Sequence, residues 1–372
     1  MKNILVIGGG KIGAVVADLL ADTPEQGGYR VTIADRSAAL LADIERDANK
    51  SPRITTLLLD VTDAAAVRSA LDGRFAVLSA LPYFLTLTVA SAAKDAGVHY
   101  LDLTEDVAAT RAIRAIATDA RTAFIPQCGL APGFIAIAAA DLARGFDSLD
   151  SVRMRVGALP AYPSNALNYN LTWSTEGVIN EYCEPCEAIV DGQPRSVPAL
   201  EEREEFSLDG VLYEAFNTSG GLGTLCETLA GKVRTLNYRT IRYPGHAAIM
   251  KALLHDLRLK DRREVLKDIL EQALPATMQD VVIIFVTVAG LRGGRLQQDT
   301  YARKIYSHVL SGKMRSAIQI TTAASLCTML DLLADGTLPQ QGFVRQEDLP
   351  LATFLGNRFG RVYAMDEMAR AA

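Results

Sequence analysis

Gly8, Gly10 and Gly13 stand at G-x-G-x-x-G spacing behind the apolar run KNILVI, and Asp35 follows 22 residues after the last of them. That spacing is the chemistry of a dinucleotide grip. The first glycine permits a tight turn, the second lets a pyrophosphate approach the backbone, and the third lets helix and strand pack closely. The helix opened by Lys11 and Ile12 then offers unpaired N–H groups and a partial positive charge to the phosphates. Asp35 is placed to accept hydrogen bonds from ribose hydroxyls and to repel a 2'-phosphate, which favours NAD. Arg36 beside it is able to clamp a phosphate, so NADP stays open. Asp60 and Val61, after the third apolar run, stand where adenine would lie. Ala80, Leu81 and Pro82, after the fourth, stand beside the nicotinamide ribose. Asp60 reads equally as a helix cap, in competition with Thr62 and Asp63. The bland alternative is a glycine turn followed by an acid that merely ends a strand.

Catalytic candidates sit where parallel strands end, because ligands bind open α/β sheets at their carboxyl ends. Tyr83 follows the fourth strand, and Asp102 and Thr104 close the fifth. Their competing readings are a rim tyrosine and a helix start at Thr104-Glu105-Asp106. His246, in Arg242-Tyr-Pro-Gly-His246, is the most attractive base among four histidines, since an unperturbed imidazole titrates near physiological pH. It reads equally as a turn histidine behind a Pro-Gly bend. Arg242 is either a clamp for a substrate carboxylate or one of the surface arginines on that strand. Trp173, the only tryptophan, is either core or a pocket wall. Cys183-Glu-Pro-Cys186 has C-x-x-C spacing but lacks the further ligands a zinc site needs, so no metal is expected.

The elements that position these residues alternate at first. NILVIG, YRVTIAD, ITTLLLD, FAVLSALP, HYLDLT and TAFIPQCG read as strands, with helical periodicity between them; Ile12, Val15, Val16, Leu19 and Leu20 share one face. Gly97 ends a helix beginning near Phe84. Six such strands predict a Rossmann doubly wound parallel sheet over residues 1–128. Past residue 128 the rhythm changes to VRMRVGALP, LNYNLTW, EEFSL, LYEAFNT, KVRTLNYRTIRY and VVIIFVTVAG, the last followed across GLRGG by DTYARKIYSHV. This predicts an α+β domain of largely antiparallel sheet over 129–315. Residues 316–372 open with the amphipathic-looking helix SAIQITTAASLCTMLDLLADG and are expected to return to the first domain.

Composition narrows the partners. The 372 residues carry 38 basic and 43 acidic side chains, a net charge of -5 without a basic run, which argues against nucleic acid and for a small ligand. No apolar stretch such as VVIIFVTVAG approaches the roughly 20 residues of a membrane span. The N-terminus enters a strand at once rather than a signal peptide, and five scattered cysteines suit reduced thiols, so a cytoplasmic protein is expected.

GGGKIG, LSALPYF, HYLDLTED, CGLAPGF, VGALP, YNLTWSTEGVINEY, VPAL and IRYPGH occur in the order found in the saccharopine dehydrogenase-like family, and resemble most its lysine 6-dehydrogenase branch. The resemblance implies hydride transfer at a C–N bond with NAD or NADP. For that branch it implies oxidation of the ε-amine of L-lysine to 2-aminoadipate 6-semialdehyde and ammonia. Saccharopine-type and carboxy-polyamine reductases, which form a secondary amine, are the alternative enzymes, and a nicotinamide-binding sensor without turnover is the alternative outside enzymology. Saccharopine-forming members usually carry GLDPG where this chain has Gly129-Leu-Ala-Pro-Gly133, and an arginine-bearing loop where it has Phe216-Asn-Thr-Ser-Gly-Gly. Both departures favour a small amino-acid substrate. Only the resemblance implies that the α+β domain is inserted before the last helices of the Rossmann domain, binds substrate and mediates dimerisation. The resemblance also implies a pocket role for Trp173 and Thr218, and a homodimer or dimer of dimers.

Overall fold

The computed structural model describes residues 1–47 and 50–364, so the last eight residues of the expected C-terminal segment lie outside it. The described chain forms two compact units, one of Met1–Leu130, Leu310–Lys313 and Gln319–Ala364, the other of Ala131–Val309 and Met314–Ile318.

The first unit begins with strict alternation: β1 (Lys2–Ile7), α1 (Lys11–Ala21), β2 (Tyr29–Asp35), α2 (Ala38–Arg46), β3 (Ile54–Leu58), α3 (Ala64–Leu71), β4 (Ala76–Ser79), α4 (Thr86–Ala96), β5 (His99–Asp102), α5 (Val107–Ala117) and β6 (Ala123–Ile125). Local chemistry sets these boundaries. Ser37, Asp63 and Asp106 accept hydrogen bonds from first-turn amides of α2, α3 and α5, the usual job of short polar N-caps. Gly97 ends α4 at φ 64°, where a side chain would be strained.

The second unit contains α6 (Phe134–Ala143), β7 (Ser148–Pro160), α7 (Thr175–Cys183), β8 (Cys186–Val190), β9 (Gln193–Val197), β10 (Glu204–Leu208), β11 (Val211–Asn217), α8 (Leu225–Thr228), β12 (Val233–Arg242), α9 (His246–Lys251), α10 (Arg263–Ala273), β13 (Asp280–Arg292) and β14 (Arg295–Tyr306). The chain then makes a small hairpin of β15 (His308–Leu310) and β16 (Lys313–Arg315), and continues through α11 (Ala317–Ala334), β17 (Gly342–Phe343) and α12 (Leu351–Gly356).

The first sheet has the order β17-β6-β5-β4-β1-β2-β3 and every pairing is parallel. Parallel neighbours require crossovers, and the helices supply them. The strand order reverses between β1 and β4, so the β1–α1 turn and the end of β4 flank the crevice where such sheets bind ligands. Leu5, Val77, Tyr100 and Phe124 pack from the sheet against Val67, Val89 and Ile113 of α3, α4 and α5. α11 lies beside α1, with the Cys327 thiol 3.9 Å from the Val16 carbonyl. It is not amphipathic as its sequence suggests: 83% of it is buried, although its length and apolarity would also suit a membrane span. Thr328 enters the buried helix by donating to the Ala324 carbonyl of its own turn.

The second sheet has the order β10-β11-β12-β7-β13-β14, with β8 joining β12 to β9. Its pairings are antiparallel except β12 with β7. Gly293 and Gly294, both at positive φ, make the two-residue turn between β13 and β14. LNYNLTW, expected as a strand, is irregular apart from one bridge at Leu171. The Asn165 side chain donates to the Tyr169 carbonyl and accepts from its amide, which gives this backbone a local partner in place of a sheet ladder. The segment instead lies against α7, α9 and α10 in a cluster containing Tyr169, Tyr182, Phe216, Met250 and Leu266.

Candidate active site

In the first unit the glycines occupy the positions the dinucleotide reading needs. Gly8 has φ 102°, and a Cβ there would lie 2.6 Å from the Ala80 carbonyl oxygen across the β1/β4 crevice. A Cβ at Gly13 would lie 1.8 Å from the Gly8 carbonyl oxygen, so this glycine is what lets helix and strand touch. Around Gly10 a Cβ would meet nothing within 4 Å, which keeps that ground open for a ligand rather than for protein. No side chain caps α1 and its first turn holds no acid, so the amides at Lys11, Ile12 and Gly13 are suited to a pyrophosphate. Asp35 accepts from the Gly9 amide with Oδ2 at 2.8 Å and from the Ser37 amide with Oδ1 at 2.8 Å. One carboxylate thus pins the glycine turn to the end of β2. Arg36 is exposed and acts electrostatically on Asp60, whose Oδ1 accepts from the Thr62 amide and hydroxyl. Asp63, not Asp60, caps α3, while Val61 is buried in the core. Ala80 donates its amide to the Ile7 carbonyl, with Leu81 half-buried and Pro82 exposed behind it.

At the end of β4, half-buried Tyr83 opens a short 3-10 turn, its ring edge-on to exposed Phe84 at 5.6 Å. Asp102, expected to do chemistry, is fully buried: Oδ1 accepts from the Thr104 and Gln127 amides at 3.0 and 2.8 Å, and Oδ2 from the Tyr100 hydroxyl at 2.8 Å. Burial raises its pKa to about 6 against these hydrogen bonds. Its carboxylate ties together the ends of β5 and β6 and holds Gln127 at φ 63°, uncommon for a residue with a side chain. The catalytic expectation for Asp102 is therefore corrected to one of positioning. Thr104 is buried too, and its hydroxyl oxygen accepts from the Asp106 amide at 3.3 Å.

Glu105, not singled out from the sequence, is half-buried on the same loop. Its carboxylate meets no cation and, besides its own backbone N–H, no donor among the described residues. Burial, reinforced by Asp106 and Asp102, raises its pKa to about 7. The acidic run of LTED is the signal that could have found it.

In the second unit Arg242 is 2% exposed, which removes the surface-arginine alternative. Its Nε donates to the Tyr182 hydroxyl at 2.9 Å and its Nη1 to the Ile241 carbonyl at 2.8 Å, and the buried carboxylate of Glu181 acts on it electrostatically without a hydrogen bond to it. The guanidinium lies 5.1 Å from the ring centre of Tyr169. The buried Tyr169 hydroxyl lies beside the Thr172 hydroxyl and the Trp173 side chain, which act on it as hydrogen-bond neighbours although none makes a bond of full geometry. A guanidinium cannot shed its charge, so a buried one with an Nη2 that makes no hydrogen bond among the described residues is suited to an anion with oxygen acceptors.

Half-buried Trp173 reaches this cluster from the same irregular segment, its ring against Gly177 of α7, where a Cβ would lie 2.3 Å away. His246 is 1% exposed, and both its nitrogens are engaged, Nδ1 with the Leu167 carbonyl and Nε2 with the Tyr182 hydroxyl. Burial and nearby Arg242 push its pKa down to about 3. Neither an exposed turn histidine nor a base titrating near neutrality fits this, and the base expectation is corrected accordingly. Thr218, past the end of β11, is buried with an unpartnered hydroxyl.

Comparison with known proteins accords with both units. Residues 4–125 match the Saccharopine dehydrogenase NADP binding domain and residues 129–358 the Saccharopine dehydrogenase C-terminal domain. The chain belongs to the saccharopine dehydrogenase family. It is thus a member of a family of oxidoreductases that act on amino acids, and it binds a nicotinamide cofactor. It is 23% identical over 335 residues to saccharopine dehydrogenase [NADP(+), L-glutamate-forming] of Pyricularia oryzae, covering 84% of this chain and 72% of that one. The enzyme of that name from Saccharomyces cerevisiae is 25% identical over 70% of this chain and 59% of its own length. Mouse mitochondrial alpha-aminoadipic semialdehyde synthase is 24% identical over 52% of this chain, which spans only 21% of that protein. The solved apo saccharopine dehydrogenase (L-Glu forming) from Saccharomyces cerevisiae superposes with a TM-score of 0.75 at 19% identity over 93% of this chain and 94% of that one, a likeness of fold.

Proposed function

We propose that this saccharopine dehydrogenase family member oxidises the amine of an amino acid, L-lysine at its 6-position, using NAD. The buried Arg242, whose Nη2 makes no hydrogen bond among the described residues, carries the reading, because it suits a substrate carboxylate. Asp35, with its negative charge at the end of β2, supports NAD over NADP. Gly8, Gly10, Gly13 and the first turn of α1 would hold the cofactor, which when bound accepts the hydride.

An alkylammonium with a pKa of about 10.4 must lose a proton before its carbon can release hydride. A general base must take that proton and later activate the water that adds to the iminium, and Glu105, whose pKa burial raises to about 7, is the candidate the first unit offers. L-lysine, NAD and water thereby give 2-aminoadipate 6-semialdehyde, ammonium and reduced cofactor, with one proton released. We propose on the resemblance alone that the protein is a homodimer or dimer of dimers, and from its scattered cysteines that it is cytoplasmic.

The names of the relatives favour a second reading, a reductase that joins an aldehyde and an amine into a secondary amine. Mixing the protein with NAD and L-lysine at alkaline pH and following the absorbance of reduced nicotinamide separates the two. Reduction of NAD is expected. Silence with lysine, together with oxidation of NADPH by the semialdehyde plus L-glutamate, would favour the second reading.

A further inference from the structure

The Arg242 cluster contains a hydrogen-bond chain whose every member has one possible direction. A carbonyl oxygen only accepts, so the 2.9 Å contact between His246 Nδ1 and Leu167 O places a proton on Nδ1. Burial beside Arg242 keeps the imidazole neutral, which leaves Nε2 as an acceptor. The Tyr182 hydroxyl, 3.1 Å away, must therefore donate to Nε2. Its own oxygen is then left to accept from Arg242 Nε at 2.9 Å. Packing allows no other rotamer an easy place: Tyr169 stands edge-on to His246 at 5.3 Å, Tyr182 edge-on to Phe216 at 5.7 Å, and Phe216 is stacked with His246 at 6.3 Å. With Nε held by Tyr182 and Nη1 by Ile241 O, the guanidinium plane is fixed, and Nη2 makes no hydrogen bond among the described residues.

We infer that Tyr182 and His246 are positioning residues, which hold Arg242 in a single orientation so that its Nη2 edge receives the carboxylate of an amino-acid substrate. The chain runs from a backbone carbonyl through a fixed imidazole tautomer and a phenol to the guanidinium, and neither side chain touches substrate. This rests on the reading that Arg242 binds the carboxylate, and preorganisation of the fork would raise affinity without altering the chemical step. Leaving the arginine two free rotamers where it now has one hydrogen-bonded pose should therefore appear in KM and not in kcat.

The test compares Tyr182→Phe, His246→Gln and His246→Leu. Glutamine offers a carbonyl oxygen to the Tyr182 hydroxyl, and leucine offers nothing. Steady-state kinetics with L-lysine and NAD should show KM for lysine rising about tenfold in Tyr182→Phe and His246→Leu, with kcat within about twofold and KM for NAD unchanged. His246→Gln should recover most of the loss. A turnover-free readout uses Trp173, the only tryptophan, which packs beside this cluster: its fluorescence is titrated with L-norleucine, which keeps the α-carboxylate and lacks the ε-amine, and with n-hexylamine, which has only the amine.

Saturable quenching or enhancement by norleucine but not hexylamine is expected, with the norleucine midpoint shifted about tenfold in the two disabling variants. If the native protein responds to neither lysine nor norleucine, the carboxylate reading of Arg242 itself fails. Should it respond while all three variants titrate like the native protein, or should His246→Gln be as impaired as His246→Leu, the positioning inference is overturned. If Tyr182→Phe does not fold, the two His246 variants read the same link.

Discussion

Asp35 closes β2 and Glu105 stands three residues past the end of β5; what separates these carboxylates is their company. Asp35 accepts hydrogen bonds from two backbone amides, whereas Glu105 has burial and like charges around it and its pKa is pushed to about 7. A base works when deprotonated, so kcat/KM for lysine should rise with pH through about 7 on this group and level above it. Glu105→Gln should lower kcat by roughly 10²–10⁴-fold and remove that limb of the pH profile; a retained limb assigns it elsewhere. Asp35→Ala should relax the preference for NAD by about tenfold or more, measured as the ratio of kcat/KM for the two cofactors. It should also cost roughly 1–3 kcal/mol of stability through the two amides it leaves unpaired. An unchanged cofactor ratio would end the proposed role of Asp35.

At the scale of elements, the β1–α1 turn separates folding from binding in adjacent glycines. The Cβ of Gly13→Ala would collide with the Gly8 carbonyl, so this variant should lose stability and cofactor affinity together. Gly10 has φ -66° and open space around its missing Cβ. Gly10→Ala should leave the melting temperature of the cofactor-free protein unchanged or slightly higher, yet weaken NAD about tenfold or more in a calorimetric titration. Equal affinity in Gly10→Ala would mean that the pyrophosphate does not approach there. The same turn was legible from sequence because strand, glycines, helix and acid are all local in the chain. LNYNLTW was not, since its apolar alternation mimics a strand while the decisive contact is the Asn165 side chain bonding the Tyr169 backbone. α11 misled for a related reason: the Thr328 hydroxyl bonds its own helix, so this polar residue enters the core.

For the molecule as a whole, the C-terminal part of the first unit is tied down through Asp331 of α11. It accepts from the Tyr29 hydroxyl at 2.6 Å, from Asn357 at 2.8 Å and from Arg358 Nε at 3.1 Å, so β2, α11 and the segment after α12 meet at one carboxylate. Asp331→Ala should destabilise the first unit by roughly 1–3 kcal/mol, the partial exposure of Arg358 screening the rest. Calorimetry with and without NAD reads this, because bound cofactor raises the transition of the unit that holds it. A melting profile identical to the native one would show that Asp331 does not hold this segment in place.

By itself the sequence determined the parallel sheet, the dinucleotide turn, the antiparallel insertion and the family, because each is written in local periodicity, in glycine spacing or in ordered motifs. It also placed Arg242, Trp173 and His246 among the candidates, but as separate guesses with bland alternatives. Only tertiary structure decided their relation, since burial and hydrogen-bond direction are properties of neighbours distant in the chain: His246 meets Leu167, 79 residues away, and Tyr182, 64 residues away. Those contacts take the histidine out of titration near neutrality and leave the arginine an edge for an anion.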